Sequence, residues 1–254
     1  MSNIFDLSGK VAIVTGGAGG IGKTLSIGLA QNGADVVVTS RTLSKLEPVA
    51  AEIKALGKKS LAIACDVTDE QSVNNMVDQV VKEFSHIDLL VNVAGTIVRD
   101  PAEVVKIEDW QRVINFNVRG TFLCCQAVGK VMIKQGGGKI VNMSSVRGRL
   151  GSADGAVAYS PSKGAVDSLT RTLAAEWAKY KIYVNAIAPT LIETDLTRDA
   201  LANPDFAKKH MARIPLNRWG KPEDTIGPVV FLASEASNFI TGQIIYVDGG
   251  TTCC

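Results

Sequence analysis

No stretch of this chain approaches the ~20 consecutive apolar residues needed to cross a bilayer, so a membrane-spanning protein is not expected. The first residues, Met1-Ser2-Asn3-Ile4-Phe5-Asp6, lack a basic segment leading into an apolar one, which argues against secretion. Charge bias is missing too: 27 Lys+Arg against 25 Asp+Glu leave a formal net charge of +2, too little for a nucleic-acid footprint. No basic run suits an anionic membrane surface. Cysteine is scarce and unpatterned: five residues, including the adjacent pairs Cys124-Cys125 and Cys253-Cys254, with no Cys-x-x-Cys. The two histidines, His86 and His210, stand apart from any cysteine cluster. These absences point to a reduced, cytoplasmic protein with no structural zinc or other metal, whose Cys65, Cys124 and Cys125 serve as small buried hydrophobes. Repeats, low-complexity tracts and linkers are also lacking. At 254 residues and 46% hydrophobic content, residues 1–254 should form one α/β domain with a sizeable core.

What is present is an alternation of short, nearly continuous apolar runs with longer helical stretches. The runs are Val11–Thr15, Asp35–Ser40, Leu61–Asp66, Leu89–Val93, Lys139–Ser145, Tyr183–Ala188 and Gln243–Val247. Runs without polar alternation suit strands covered on both faces, as in a parallel sheet. The intervening stretches Ile21–Gln31, Leu43–Leu56, Glu70–Phe84, Trp110–Lys134 and Tyr159–Lys179 predict helices, with Gly33 and Gly57 placed to end two of them. Right-handed βαβ crossovers then yield a doubly wound Rossmann-type domain, with a mainly parallel seven-stranded sheet and helices on both faces. The long polar segment 190–215, interrupted by Pro204, breaks the alternation and reads as a lid over a substrate.

The first strand runs into Thr15-Gly16-Gly17-Ala18-Gly19-Gly20-Ile21-Gly22, and a helix follows. Glycines at 16, 20 and 22, or at 17, 19 and 22, would let backbone N–H groups approach a pyrophosphate at a helix N-terminus. The second strand ends in Ser40-Arg41 rather than in the acid that commonly holds the ribose 2′-OH of NAD. A guanidinium can pair with a 2′-phosphate and no carboxylate is there to repel it, so NADP(H) is the preferred dinucleotide, with NAD(H) use open.

Tyr159 and Lys163 stand four residues apart in Tyr159-Ser160-Pro161-Ser162-Lys163, a spacing that shares one helical face. A phenol near pKa 10 exchanges protons poorly at neutral pH, and a close ammonium would favour the phenolate. Ser145, fourteen residues earlier at a strand end, could hold the same substrate oxygen. This trio is suited to moving a proton on or off a carbonyl oxygen.

With these residues, the chain resembles the short-chain dehydrogenase/reductase family over nearly its full length. The cofactor turn Thr15-Gly16-x-x-x-Gly20-Ile21-Gly22 matches, and Asn92-Val93-Ala94-Gly95 resembles the family's Asn-Asn-Ala-Gly signature, with Val93 in place of the second Asn. The resemblance implies a catalytic tetrad of Asn117, Ser145, Tyr159 and Lys163. In it Tyr159 is the general acid or base and Ser145 orients the substrate oxygen. Lys163 binds the nicotinamide ribose and lowers the tyrosine pKa, and Asn117 anchors a water relay. It also implies cofactor contacts from Gly16, Gly19, Gly20, Ile21, Gly22, Ser40 and Arg41, from Asp66 and Val67, from Asn92, Ala94 and Gly95, and from Pro189, Ile192 and Thr194, besides Tyr159 and Lys163. Thr190 stands where the family has glycine, which puts a change on the nicotinamide side in view. A homotetramer is the assembly the resemblance implies.

Within the family the similarity is greatest to the gluconate 5-dehydrogenase branch, through Arg99-Asp100-Pro101-Ala102-Glu103, Arg213-Ile214-Pro215-Leu216-Asn217-Arg218 and the segment Gly242–Gly250. That branch acts on a small sugar acid, and Arg99 and Arg147 are placed to hold its carboxylate. Arg149 also follows Ser145 closely. Two further readings stay open: a 3-oxoacyl-[acyl-carrier-protein] reductase, disfavoured by Gly136-Gly137-Gly138 where a basic patch would be wanted, and an NADP(H)-binding sensor or scaffold without chemistry.

Overall fold

A computed structural model describes residues 3–195 and 197–253. Met1, Ser2, Leu196 (within the expected lid) and Cys254 (half of the carboxy-terminal cysteine pair) lie outside the described residues. The elements run β1 (Val11–Thr15), α1 (Gly20–Gln31), β2 (Asp35–Ser40), α2 (Leu43–Ala55), β3 (Ser60–Ala64), α3 (Glu70–Phe84), β4 (Leu89–Asn92), α4 (Ile107–Ile114), α5 (Gly120–Gln135), β5 (Gly138–Met143), α6 (Tyr159–Trp177), β6 (Ile182–Pro189), α7 (Arg198–Ala202), α8 (Pro204–Met211), α9 (Ile226–Ala233) and β7 (Ile244–Val247).

The strands make one sheet in the order β3-β2-β1-β4-β5-β6-β7. Every pairing is parallel. Alternate residues of each strand feed opposite faces, because successive side chains point oppositely along a strand. Val11, Ile13 and Val37 join a core under α3, α5 and α6 that includes Met76, Cys124, Cys125 and Leu173. Ala12, Val14, Val36 and Val38 join a second core under α1, α2 and α9 that includes Leu25, Leu29, Leu46 and Val229. Each fully buried Leu or Ile contributes roughly 1.5–3 kcal/mol, so both layers hold the sheet. The strand order reverses between β1 and β4, and such a switch point opens a crevice at the strands' carboxyl ends.

The expected strands are found, with ends shifted by at most two residues. Helix ends follow local chemistry. Asp69 caps α3 by accepting from the N–H groups of Gln71 and Ser72 at 3.3 and 3.1 Å, and Gly33 and Gly57 close α1 and α2 with φ of +108° and +79°.

Three places depart from the sequence reading. Helix α9 is not apparent in the sequence, because Ile226-Gly227-Pro228-Val229-Val230-Phe231-Leu232-Ala233 is nearly all apolar and shows no helical stripe. Pro228 is tolerated in its first turn, where N–H groups have no partner to lose. The predicted helix Trp110–Lys134 is instead α4 and α5 joined by one π turn, Asn115–Arg119. The expected lid segment, for which the sequence predicts no helix, contains α7 and α8: Asn203 caps α8 by accepting from Asp205 and Phe206 N–H groups, with Pro204 at its start.

Candidate active site

At the switch point the glycine turn is fixed by contact as well as by flexibility. A Cβ on Gly22 would lie 2.1 Å from the Gly16 carbonyl oxygen, and one on Gly16 would lie 2.9 Å from the Ala94 nitrogen. Gly16 and Gly20 also have φ of +73° and +50°. Gly19, by contrast, is extended and a Cβ there would meet nothing within 4 Å. Of the two glycine registers, the structure therefore makes 16, 20 and 22 obligatory. Thr15 Oγ1 accepts from the N–H groups of Val93 and Ala94 at 3.1 and 3.2 Å, pinning the end of β4 beside the turn. Thr194 closes the other side, with its methyl 3.3 Å from where a Gly20 Cβ would be. The turn is a cradle whose close-packed backbone leaves N–H groups for a pyrophosphate, and it fits a dinucleotide.

At the ribose end, Arg41 is exposed and lies over the Phe116 ring, 5.5 Å from its centroid. Its charge reaches Asp66, whose carboxyl sits below the usual range: burial raises it, and hydrogen bonds from Thr68 together with Arg41 more than offset that. Ser40 turns its hydroxyl to the Thr42 backbone. Two of the residues expected at the cofactor also make contacts inside the protein. Asn92 Nδ2 donates to Asn142 Oδ1 at 2.9 Å, tying β4 to β5, and Val67 is buried against the Gly120 backbone.

The reacting end is a cleft of about 740 Å³, lined by Ser145, Tyr159, Lys163, Gly95, Pro189 and Ile192 among others. The first turn of α6 carries Tyr159 and Lys163 on one face, with the Lys163 nitrogen 5.6 Å from the phenol ring centroid. Ser145 lies two residues past β5, buried; its hydroxyl donates to the Pro189 carbonyl at 3.4 Å and accepts from the Arg147 N–H at 3.2 Å. Burial pushes the Tyr159 phenol above its ordinary value, opposed by a hydrogen bond from Ser145 and by the charges of Arg99 and Arg147. Two arginine charges thus act on the phenol, and the Lys163 ammonium stands beside its ring. Lys163 is buried, which pulls its ammonium down to about 8 against the pull of Asp167, and it donates to the Met143 carbonyl at 2.7 Å.

Asn117 sits inside the π turn, 1% exposed. A π turn adds one residue to a helical circuit and so turns a side chain inward that a regular helix would not. Its amide is spent on protein: Oδ1 accepts from the Thr96 N–H at 2.8 Å, and Nδ2 donates to the Thr96 carbonyl and Ser162 Oγ, both at 2.9 Å. The side chain thereby clamps the loop after β4 to α6, and the Asn117 backbone carbonyl accepts from Thr121 Oγ1 at 2.7 Å.

Arg99 and Arg147 both line the cleft, as does Arg213. Arg149 turns away to the Tyr246 ring. Thr190 takes the family glycine's place without positive φ, its N–H donating to the Val247 carbonyl at 3.3 Å. Sequence reasoning gave no role to Asp154, Phe206 or His210, which stand around these arginines; only the three-dimensional approach of the loop after β5 to α8 reveals them. Among the described residues, no group of three or more His, Cys, Asp or Glu side chains could hold a metal, and no helix is long and apolar enough to cross a membrane.

A parallel sheet reversing at a glycine cradle, beside a tyrosine and a lysine on one helical face, is the framework of a dinucleotide-dependent oxidoreductase. The enoyl-(acyl carrier protein) reductase family model matches residues 16–252, and the chain belongs to the short-chain dehydrogenase/reductase family, enzymes acting on CH–OH groups. The chain is 41% identical over 249 residues to the 2-dehydro-3-deoxy-D-gluconate 5-dehydrogenase of Dickeya dadantii, covering 98% of this chain and 97% of that one. It is 43% identical over 246 residues to the 3-oxoacyl-[acyl-carrier-protein] reductase of Thermotoga maritima, covering 96% and 98%. Among solved structures, a gluconate 5-dehydrogenase from Burkholderia cenocepacia in complex with NADP and tartrate superimposes with a TM-score of 0.95 at 37% identity, covering 99% and 98%.

Proposed function

We propose that this protein is an NADP(H)-dependent dehydrogenase that interconverts a secondary alcohol and a ketone on a small sugar acid such as gluconate and its 5-keto form. The observation that carries this reading is electrostatic. Arg99 and Arg147 line the same cleft as Tyr159 and their charges reach its phenol, so the cleft favours a substrate bearing its own negative charge beside the reacting oxygen. The gluconate 5-dehydrogenase and 2-dehydro-3-deoxy-D-gluconate 5-dehydrogenase relatives support the same class.

Gly16, Gly20 and Gly22 would hold the pyrophosphate, Ser40 and Arg41 the 2′-phosphate, Asp66 the adenine side, and Lys163 and Thr194 the nicotinamide end. The bound dinucleotide supplies the hydride acceptor or donor. Tyr159 delivers a proton to the carbonyl oxygen in reduction and takes it from the hydroxyl in oxidation. Ser145 holds that oxygen. The two arginines and the ammonium keep the phenolate accessible once the proton has left. Asn117 acts as a positioning residue by fixing the loop that carries Gly95 and Thr96. Residues 190–215 close over the substrate as a lid on one catalytic domain spanning 1–254. The exposed Phe122 and Phe239, and the half-buried β7, suit burial between subunits of a homotetramer, in the cytoplasm.

Purified protein mixed with NADPH and 5-keto-D-gluconate, a neutral ketone or an acetoacetyl thioester, followed at 340 nm, tests the reading. The keto acid should turn over fastest. Preference for the thioester would favour the acyl-carrier reductase reading, and no turnover of any ketone would favour a sensor. Tyr159→Phe should lower kcat by about 10²–10⁴-fold while leaving the NADPH Kd unchanged. Arg41→Ala should weaken NADPH roughly 10-fold or more and NADH little, a loss of about 1.4 kcal/mol measured by fluorescence titration.

A further inference from the structure

The cleft that holds Tyr159 is also lined by the lid helix α8 and by the loop after β5. His210, on α8, lines the cleft yet is 5% exposed, and its ring stacks on Phe206 with centroids 4.0 Å apart. Phe206 in turn lies under the Arg99 guanidinium at 5.8 Å. The His210 Nε2 atom is enclosed and faces Asp154 Oδ2 at 3.5 Å, and neither of these two atoms has a hydrogen-bond partner among the described residues. Buried polar groups are almost always paired, so two orphans side by side next to a cleft call for an explanation.

Asp154 is held firmly. Its Oδ1 accepts from Lys209 Nζ at 2.5 Å, and its Oδ2 lies 3.8 Å from Arg147. The neighbouring Gly155 has φ of +66°, and a Cβ there would lie 2.9 Å from the Asp100 backbone. Asp154 therefore fastens the lid helix to the loop that carries Arg147, and its carboxylate stands on the Nε2 side of His210.

We propose, building on the sugar-acid reading, that His210 is a specificity-determining residue that reads a substrate hydroxyl remote from the reacting carbon, with Asp154 as its positioning residue. A carboxylate on the Nε2 side selects the tautomer protonated at Nε2, which leaves Nδ1 as an acceptor. Burial pulls the imidazole below its ordinary pKa; Asp154 opposes this, and Arg147, Lys209 and Arg213 add to it, so the ring is neutral near pH 7. A neutral acceptor amid arginine donors divides the labour of recognition. The guanidinium groups take the carboxylate, and the imidazole takes a hydroxyl hydrogen that a plain oxo acid does not offer.

The test compares 5-keto-D-gluconate with 4-oxopentanoate, which keeps the ketone and carboxylate and lacks hydroxyls. His210→Phe should lower kcat/KM for the hydroxylated acid about 10-fold, mainly through KM, and change that for 4-oxopentanoate less than about 2-fold. His210→Asn, which keeps a polar atom near the Nδ1 position, should recover part of the loss, and the NADPH Kd should match wild type in both. Equal losses on the two acids, or no loss on either, would overturn the assignment. Should His210→Phe fail to fold, Asp154→Asn keeps the ring and carries the same comparison. Wild-type protein that reduces acetoacetyl thioester and neither keto acid would instead bring down the sugar-acid reading, a distinguishable result.

Discussion

Strand β5 has a lysine ammonium at each end, one half-buried and one buried, and the two make an instructive pair. Lys139, at its start, and Lys163, whose ammonium meets the Met143 carbonyl at its finish, are both pulled down to about 8 by burial. At the amino end Lys139 donates to the Ser234 carbonyl at 2.6 Å and to Ser237 Oγ at 2.7 Å, and lies 4.9 Å from the Tyr183 ring centroid. It is a rivet between β5 and the turn after α9. At the carboxyl end Lys163 has one such bond among the described residues, in a cleft wall beside a phenol. An ammonium has three donors, so one lysine is largely committed while the other has N–H groups left for a ligand. A displaced pKa alone therefore does not mark a functional group; what remains unpaired around it does.

The sharpest way to break this contrast is to remove each ammonium. Lys163→Met should lower kcat by about 10²-fold or more with little change in Tm. Lys139→Met should leave kcat within about 2-fold but destabilise the fold by about 1–3 kcal/mol, because a buried carbonyl and hydroxyl lose their donor. Equal effects on activity would erase the distinction.

A second measurement uses pH. Ketone reduction should fall as pH rises through about 8, where Lys163 loses its proton, and kcat/KM profiles of wild type and Lys163→Met should differ there. The smallest effect concerns stability. Both lysines titrate near 8 in the folded chain and near 10.5 unfolded, so between those values the unfolded chain binds more protons and stability rises with pH. Denaturant midpoints from pH 8 to 10.5 should show that rise, and it should shrink in either methionine variant.

The same contrast explains what could be read from the chain. Strands β1 and β2, helix α3 and the start of α6 at Tyr159 follow from patterns within a dozen residues, and they appear where those patterns put them. The glycine turn is equally local: the Gly22–Gly16 contact spans six residues. Lys139 gave no signal, because its partners Ser234 and Ser237 are almost a hundred residues away. Asp154 and His210 were silent for the same reason, being brought together only when α8 packs against the loop after β5. The burial that raises the Tyr159 phenol was likewise invisible, since desolvation depends on everything that closes over it.

The π turn at Asn115–Arg119 has a consequence for the long helix that contains it. Each residue of an α-helix advances the azimuth by about 100°, so a single extra residue sets α4 and α5 out of phase along one rod. Shortening that stretch by one position would straighten the rod and swing either the Asn117 clamp or the apolar stripe of α5 away from its seat. A one-codon deletion there would act as a rotation of α5 against α4, a change that no single side-chain replacement reproduces.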